Sequence, residues 1–348
     1  MSIIINGVKI GPGQPPYIVA ELSANHNGSL EHALATISEA KRCGANAVKL
    51  QTYTADTMTI DSNRHEFLIQ GGPWEGYKLY DLYRWAQTPF EWHPALFAHA
   101  RKLGITIFST PFDESAVDLL ESLDAPAYKI ASFELTDLPL IEYVARTGKP
   151  MIMSTGMASE QEIEDAVVTA KTGGCSELIL LHCVSSYPAP FEQANLAQIS
   201  ELTRRFKTVS GLSDHTLGTT ASVAAVALGA HFIEKHFTLN RDNGGPDSSF
   251  SIEPDELERL CIEARNAWLS VGKADYSRQQ CEEPNRAFRR SIYFVNDKKA
   301  GDKVNEPDVK RIRPGLGLEP KYFGSLIGRT LKKDVDKGTP TSWEHFDE

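Results

Sequence analysis

Between Tyr17 and about Gly272, eight short apolar runs alternate with longer amphipathic stretches, and that alternation limits the possible folds more than any other feature. The runs are Tyr17–Glu21, Ala45–Gln51, Ile105–Thr110, Ala127–Ala131, Met151–Ser154, Leu178–His182, Thr208–Ser213 and His231–His236. Each is nearly continuously apolar and bounded by turn residues, the pattern of a strand buried on both faces of a parallel sheet. The intervening stretches read as helices, notably Leu30–Cys43, Glu160–Ala170, Ala194–Phe206, Thr219–Leu228 and Pro254–Leu269. Several run into a glycine (Gly44, Gly104, Gly148, Gly173, Gly229), as a C-cap feeding the next strand requires. Eight such units in about 255 residues predict an α/β fold of the (β/α)8 TIM-barrel type, typically about 250 residues long. A doubly wound open sheet is the rival, but no Gly-rich fingerprint marks a switch point.

The second unit departs from the rhythm. About forty residues, Thr52–Thr88, separate its strand from the next helix and include GGPWEGYKLYDLYRWAQTP. An insertion after a barrel strand lies at the C-terminal face, where substrates bind. Trp74, Tyr77 and Tyr80 either stack on a sugar there or pack the insertion onto the barrel. The barrel domain is expected to span residues 1–272. Past it, residues 273–290 include the polar run YSRQQCEEPNRAFRR and read as a linker. Residues 291–348 then form a small domain of short strands and turns, too small for much stability alone and expected to dock elsewhere.

Composition excludes several classes. With 36 Lys+Arg against 46 Asp+Glu the formal charge is −10, which argues against a nucleic-acid binder. It does not exclude a small anionic substrate, because local charge decides that. Five irregularly spaced cysteines without a CxxC indicate reduced thiols rather than a disulfide framework or a cysteine zinc site. MSIIINGVKIGPG lacks a signal-peptide pattern, and no apolar run is long enough to span a membrane. A soluble, cytoplasmic protein is expected.

In a barrel, polar residues at strand C-terminal ends are the functional suspects. Here they are Glu21, Lys49 with Gln51, Thr110, Lys129 with Ser132, Ser154, His182 with Ser185, Ser213 with His215, and Glu234 with His236. Residues two apart on a strand share a face. His215 and His236, from the last two strands and with Glu234 one step deeper, suit an open divalent-metal site; a hydrogen-bonded histidine pair is the plainer alternative. Lys49 and Lys129, with Thr110, Ser132, Ser154 and Ser213, form a donor set suited to a phosphate. Each lysine is alternatively an ion-pair partner of Glu21 or Glu234. Lys129 is also a candidate Schiff-base lysine, as in barrel aldolases.

The motifs AELSANHNGSL, AVKLQ, YKIAS, MSTGMA, LLHCVSSYPAP, LSDHTLG, EKHFTL and GGPDSSFS resemble those of the nonulosonic (sialic) acid synthase family over nearly the whole chain. RRSIYF and RPGLGLEP resemble that family's C-terminal antifreeze-like (SAF) domain, and the insertion together with GGPDSSFS looks most like its pseudaminate branch. The resemblance implies condensation of phosphoenolpyruvate with an open-chain acetamido-sugar, 2,4-diacetamido-2,4,6-trideoxy-L-altrose in that branch, releasing phosphate. It implies Mn2+ or Mg2+ on His215 and His236. Phosphoenolpyruvate contacts would fall to Lys49, Thr110, Lys129, Ser132, Ser154 and Ser213. Glu21, Gln51, Tyr187, Glu234 and Asp247 would lie near the sugar or the reacting carbons, with Ser185 where the neuraminate branch has Asn. Phe288 and Arg313 match residues that reach a partner's site in a domain-swapped homodimer. N-acetylneuraminate and legionaminate synthases of the same family are the nearest alternatives. A Schiff-base aldolase and a non-catalytic carbohydrate-binding protein stand further off.

Overall fold

A computed structural model describes residues 2–347; Met1 and Glu348, the outermost residues of the two expected domains, lie outside it. The chain divides into two compact units, Met1–Gly272 and Lys273–Glu348.

The first unit is a closed parallel barrel of Tyr17–Glu21 (β3), Ala47–Thr52 (β4), Thr106–Pro111 (β5), Tyr128–Ile130 (β6), Met151–Ser154 (β7), Leu178–Cys183 (β8), Val209–Asp214 (β9) and Phe232–His236 (β10). The (β/α)8 TIM barrel read from the apolar runs is therefore the observed fold. Strand alternation sorts the side chains into two populations. Tyr17, Val19, Ala47, Phe108, Ala127, Ile152, Ile179, Val209 and Phe232 point inward and fill the lower barrel. Residues of the opposite parity, such as Ile18, Val48, Ile107 and Ile233, join the helices in the larger outer core. Gly211 is required where it stands, because a Cβ there would lie 2.1 Å from the Phe232 carbonyl oxygen on the neighbouring strand.

An N-terminal hairpin, Ile3–Ile5 (β1) with Val8–Ile10 (β2), was not anticipated from the sequence. Its strands are three residues each, too short for alternation to register. Ile3, Ile5 and Ile10 are buried with the inward residues of the lower barrel and stopper that end.

The insertion contains two α-helices, Ala55–Met58 and Leu79–Ala86, with a 3-10 turn at His65–Phe67 between them. In the second unit, Ser291–Phe294 (β11) and Val309–Ile312 (β12) pair antiparallel, over a core of Ile292, Phe294, Val304, Val309, Leu326, Leu331, Val335 and Phe346. Gln280–Phe288, inside the stretch read as a linker, forms a 3-10 helix whose residues are all exposed. No helix among the described residues is long and apolar enough to cross a membrane.

Candidate active site

Above the apolar lower barrel the inward positions turn polar toward the C-terminal ends of most strands: Glu21, Lys49, Thr110, Lys129, Ser154, Ser213 and Glu234. The strand register sets Glu21 beside Lys49 and beside His236, and sets Glu234 beside Ser213. The result is a narrow cleft lined by Glu21, Lys49, Gln51, Lys129, Ser132, Ser154, Tyr187, Ser213, His215, Glu234 and His236.

Its floor is a quartet of buried charges. Lys49 Nζ lies 2.8 Å from Glu21 Oε2 and 3.5 Å from Glu234 Oε1, and donates to Thr110 Oγ1 at 3.0 Å. Lys129 Nζ is 3.7 Å from Glu234 Oε1. Gln51 Nε2 donates to Glu21 Oε1 at 3.0 Å, and Ser213 Oγ to Glu234 Oε1 at 3.4 Å. Lys49 thus pairs with both glutamates and Lys129 with Glu234. An arriving anion would exchange one set of partners for another. Burial works against charge on Glu234, but Lys129 and Lys49 outweigh it and hold its carboxyl below the ordinary value. Glu21 goes the other way, pushed up to about 7 by burial against the pull of Lys49. Burial likewise pulls Lys129 down, against Glu234. Two carboxylates with opposed shifts can divide acid and base roles between them.

Ser154 Oγ and Glu234 Oε2 are buried without a hydrogen-bond partner in the protein, which leaves both free to bond a ligand or a water. On the same side Ser132 Oγ lies 2.7 Å from Ser185 Oγ. Both pack on Gly156, which holds φ +50° and whose Cβ, were one present, would sit 2.4 Å from Ser132 Cβ and 2.9 Å from Ser185 Oγ. Gly156→Ala is expected to lower catalytic efficiency roughly tenfold or more by displacing this pair, and to cost stability about 1–2 kcal/mol for the left-handed backbone plus the cost of moving the clashing serines. Steady-state rates and a thermal melt of the variant check this; unchanged rates would remove the serine pair from the site.

The histidines stand at the mouth, ring centroids 5.5 Å apart. His215 Nδ1 lies 2.9 Å from the Val184 carbonyl, so its N–H is engaged there and Nε2 keeps its lone pair for an ion. His236 is held neutral, chiefly by burial, and its Nδ1 has no hydrogen-bond partner. These donors fit a divalent cation. No group of three His, Cys, Asp or Glu side chains among the described residues is arranged to hold one, so the remaining coordination positions would fall to water or substrate. Burial opposes charge on His215, but Cys183 Sγ, 3.8 Å from Nδ1, favours it; an ion bound there would compete with a proton.

Asp247 joins from the loop after β10. Its Oδ2 accepts from Ser23 Oγ and lies 3.9 Å from His236 Nδ1, and burial raises its carboxyl above the ordinary value. Tyr187 lies over the histidines, 4.3 Å from the His215 ring. Behind Tyr187 stands Trp74 of the insertion, 5.6 Å from its ring and 6.3 Å from Phe250. The Trp74 indole N–H donates to the Pro246 carbonyl at 2.9 Å and ties the insertion to the β10 loop. Tyr77 stacks on Trp85, and Tyr80 bonds Asp56; these two pack the insertion rather than the cleft.

One placement differs from expectation. His182 points outward, its Nε2 2.7 Å from the Ala194 carbonyl, because alternation puts Leu181 and Cys183 inside. Phe288 is 63% exposed and Arg313 is also exposed, both in the second unit. Glu134 was missed. It closes the single-turn helix Ser132–Glu134 after β6, and its Oε2 is buried without a partner. Burial raises its carboxyl to about 7, against the pull of Lys129. The only hint in the sequence is its place two residues beyond Ser132.

Glu134→Gln checks that burial. A carboxyl raised from 4.5 to about 7 favours folding fully below pH 4.5 and loses that contribution as pH rises through 7. At about 1.4 kcal/mol per pH unit, the variant should gain roughly 3 kcal/mol over the parent above pH 7 and nothing below pH 4.5. Urea unfolding at both ends of this range measures the difference.

Residues 36–276 match the NeuB family. The chain is 44% identical to the pseudaminic acid synthase of Helicobacter pylori, over 94% of this chain and 97% of that one. It is 43% identical to the pseudaminic acid synthase of Campylobacter jejuni, over 92% and 94%. Among solved structures, the N-acetylneuraminic acid (sialic acid) synthetase of Leptospira borgpetersenii in complex with citrate superposes with a TM-score of 0.74 at 34% identity, over 82% of this chain and 95% of that one. A barrel with this polar rim, matched in sequence over most of its length, belongs to the NeuB family.

Proposed function

We propose that the chain is a pseudaminic acid synthase, joining phosphoenolpyruvate to open-chain 2,4-diacetamido-2,4,6-trideoxy-L-altrose and releasing phosphate. The observation that carries this reading is the convergence of two buried lysines, partnerless polar atoms and two ligand-type histidines in one cleft, together with the likeness to named pseudaminic acid synthases.

The residues divide the work by depth. Lys49 and Lys129 neutralise the phosphate and carboxylate of phosphoenolpyruvate, with Thr110, Ser132, Ser154 and Ser213 as hydroxyl donors. Gln51, Tyr187, Ser185 and Asp247 orient the sugar above it. A divalent ion, Mn2+ or Mg2+, held by His215 and His236 would supply Lewis-acid polarisation of the aldehyde oxygen. C3 of phosphoenolpyruvate then attacks the aldehyde carbon, and cationic character develops at C2 beside the charged Glu234. Water adds to C2 and gives its proton to Glu21, the cleft carboxyl tuned near neutrality. The tetrahedral product loses phosphate with cleavage of its C–O bond. Phe288 and Arg313, on or beside the antifreeze-like module, would reach a partner's cleft in a domain-swapped homodimer.

Phosphate release with the altrose derivative, measured beside N-acetylmannosamine and the legionaminate precursor, tests the sugar assignment. Turnover should favour the altrose derivative, and preference for either other sugar would overturn that assignment. Phosphoenolpyruvate carrying 18O at its bridging oxygen should deliver the label to the released phosphate. Unlabelled phosphate would exclude C–O cleavage.

A further inference from the structure

One pair of charges in the barrel wall takes no part in this chemistry. Asp214 and Lys235 are register partners on β9 and β10. Alternation turns both away from the cleft, while Ser213, Glu234 and His236 face it. Their side chains are 1% and 0% exposed, with Lys235 Nζ 2.9 Å from Asp214 Oδ2. The same oxygen accepts from Ser222 Oγ at 2.6 Å, and Oδ1 accepts from the Thr216 amide at 2.9 Å and its hydroxyl at 2.8 Å. Lys235 Nζ also donates to the Thr216 carbonyl. Thr216 is thus held at its amide, its carbonyl and its side chain.

His215 lies between the two residues so fixed, and its own carbonyl accepts from the Ala189 amide at 2.9 Å. A buried ion pair is weak evidence of stabilisation, since apolar side chains of similar volume often serve stability as well or better. What such a pair can add is a single geometry. We propose that Asp214 and Lys235 are positioning residues that lock the 214–216 turn and thereby aim His215 at the space it shares with His236. His215 directly follows β9 and His236 ends β10, the two strands that this pair joins, so one interaction sets both.

The test uses the full chain and two variants. D214L/K235M removes both charges together, and D214N keeps an acceptor for Thr216 but strands Lys235. The double variant should melt cooperatively within a few degrees of the parent. Its affinity for Mn2+, titrated with MnCl2 alone, should nevertheless fall at least tenfold. In steady-state turnover kcat should fall at least tenfold, with KM for phosphoenolpyruvate within twofold. The His215 Nδ1–H resonance, protected in the parent by the Val184 carbonyl, should shift or exchange away. A folded double variant with the parent resonance and parent kcat overturns the proposal. If the double variant does not fold, an unshifted His215 resonance in D214N overturns it equally. Only the turnover arm rests on the synthase reading: a parent that releases no phosphate with any sugar defeats that reading, and the resonance then decides this one.

Discussion

Lys49→Met should cut catalytic efficiency for phosphate release by about two to four orders of magnitude and lower the melting temperature as well. Lys49 touches Glu21, Glu234 and Thr110 at once, with its side chain 4% exposed. Removing one member of a buried, hydrogen-bonded charge pair typically costs about 3–5 kcal/mol, because the partner is left charged and unpaired. At about 1.4 kcal/mol per factor of ten, a loss of that size on the substrate complex gives the stated range. The fold and the chemistry can be separated by adding Glu21→Gln. The double variant removes one stranded carboxylate and should recover much of the lost stability, while turnover stays low because the cation for the anionic substrate is still missing. Phosphate-release rates and thermal melts of both variants measure this. A single variant within tenfold of parental efficiency would remove Lys49 from substrate binding.

The second large effect concerns the divalent ion. Chelation should abolish phosphate release and added Mn2+ should restore it, and His215→Ala or His236→Ala should weaken Mn2+ binding by well over the 10–100-fold typical of losing an outer-shell partner. The more discriminating expectation follows from having only two histidine donors, with no group of three His, Cys, Asp or Glu side chains among the described residues arranged to hold an ion. An ion so sparsely held gains ligands from the sugar, so the sugar should tighten Mn2+ binding by about tenfold or more. Reciprocity then requires Mn2+ to tighten the sugar by the same factor. Calorimetric titration of Mn2+ with and without the sugar, phosphoenolpyruvate omitted, checks the coupling; equal affinities would mean the ion and the sugar do not share a site. Because a proton would compete with the ion at His215, Mn2+ affinity should also fall as pH falls.

Much of the cleft was legible because strand alternation is a simple rule. Once β10 is a strand, Glu234 and His236 must share a face and Lys235 must not. The same rule sends His182 outward, yet a histidine at a strand end attracts attention whichever way it points. Glu134 was illegible for the opposite reason: it sits on a one-turn helix with no periodicity to read, and only the folded chain brings it near Lys129. The two readings of the lysines, ion-pair partners or anion donors, could not be separated by sequence because the same atoms can serve either; the fold shows the ion pairs. Aromatic composition alone also could not distinguish Trp74, which backs Tyr187, from Tyr77 and Tyr80, which pack locally.

The hairpin of Ile3, Ile5 and Ile10 has a kinetic consequence. A barrel closed at its lower end offers traffic a single doorway. In the proposed arrangement the phosphate lies on Lys49 and Lys129, beneath the sugar at Tyr187 and Asp247. Phosphoenolpyruvate must then enter before the sugar, and phosphate cannot depart until the nine-carbon acid has cleared the mouth. Steady-state turnover would be ordered by the floor of the barrel, through residues that never meet a substrate.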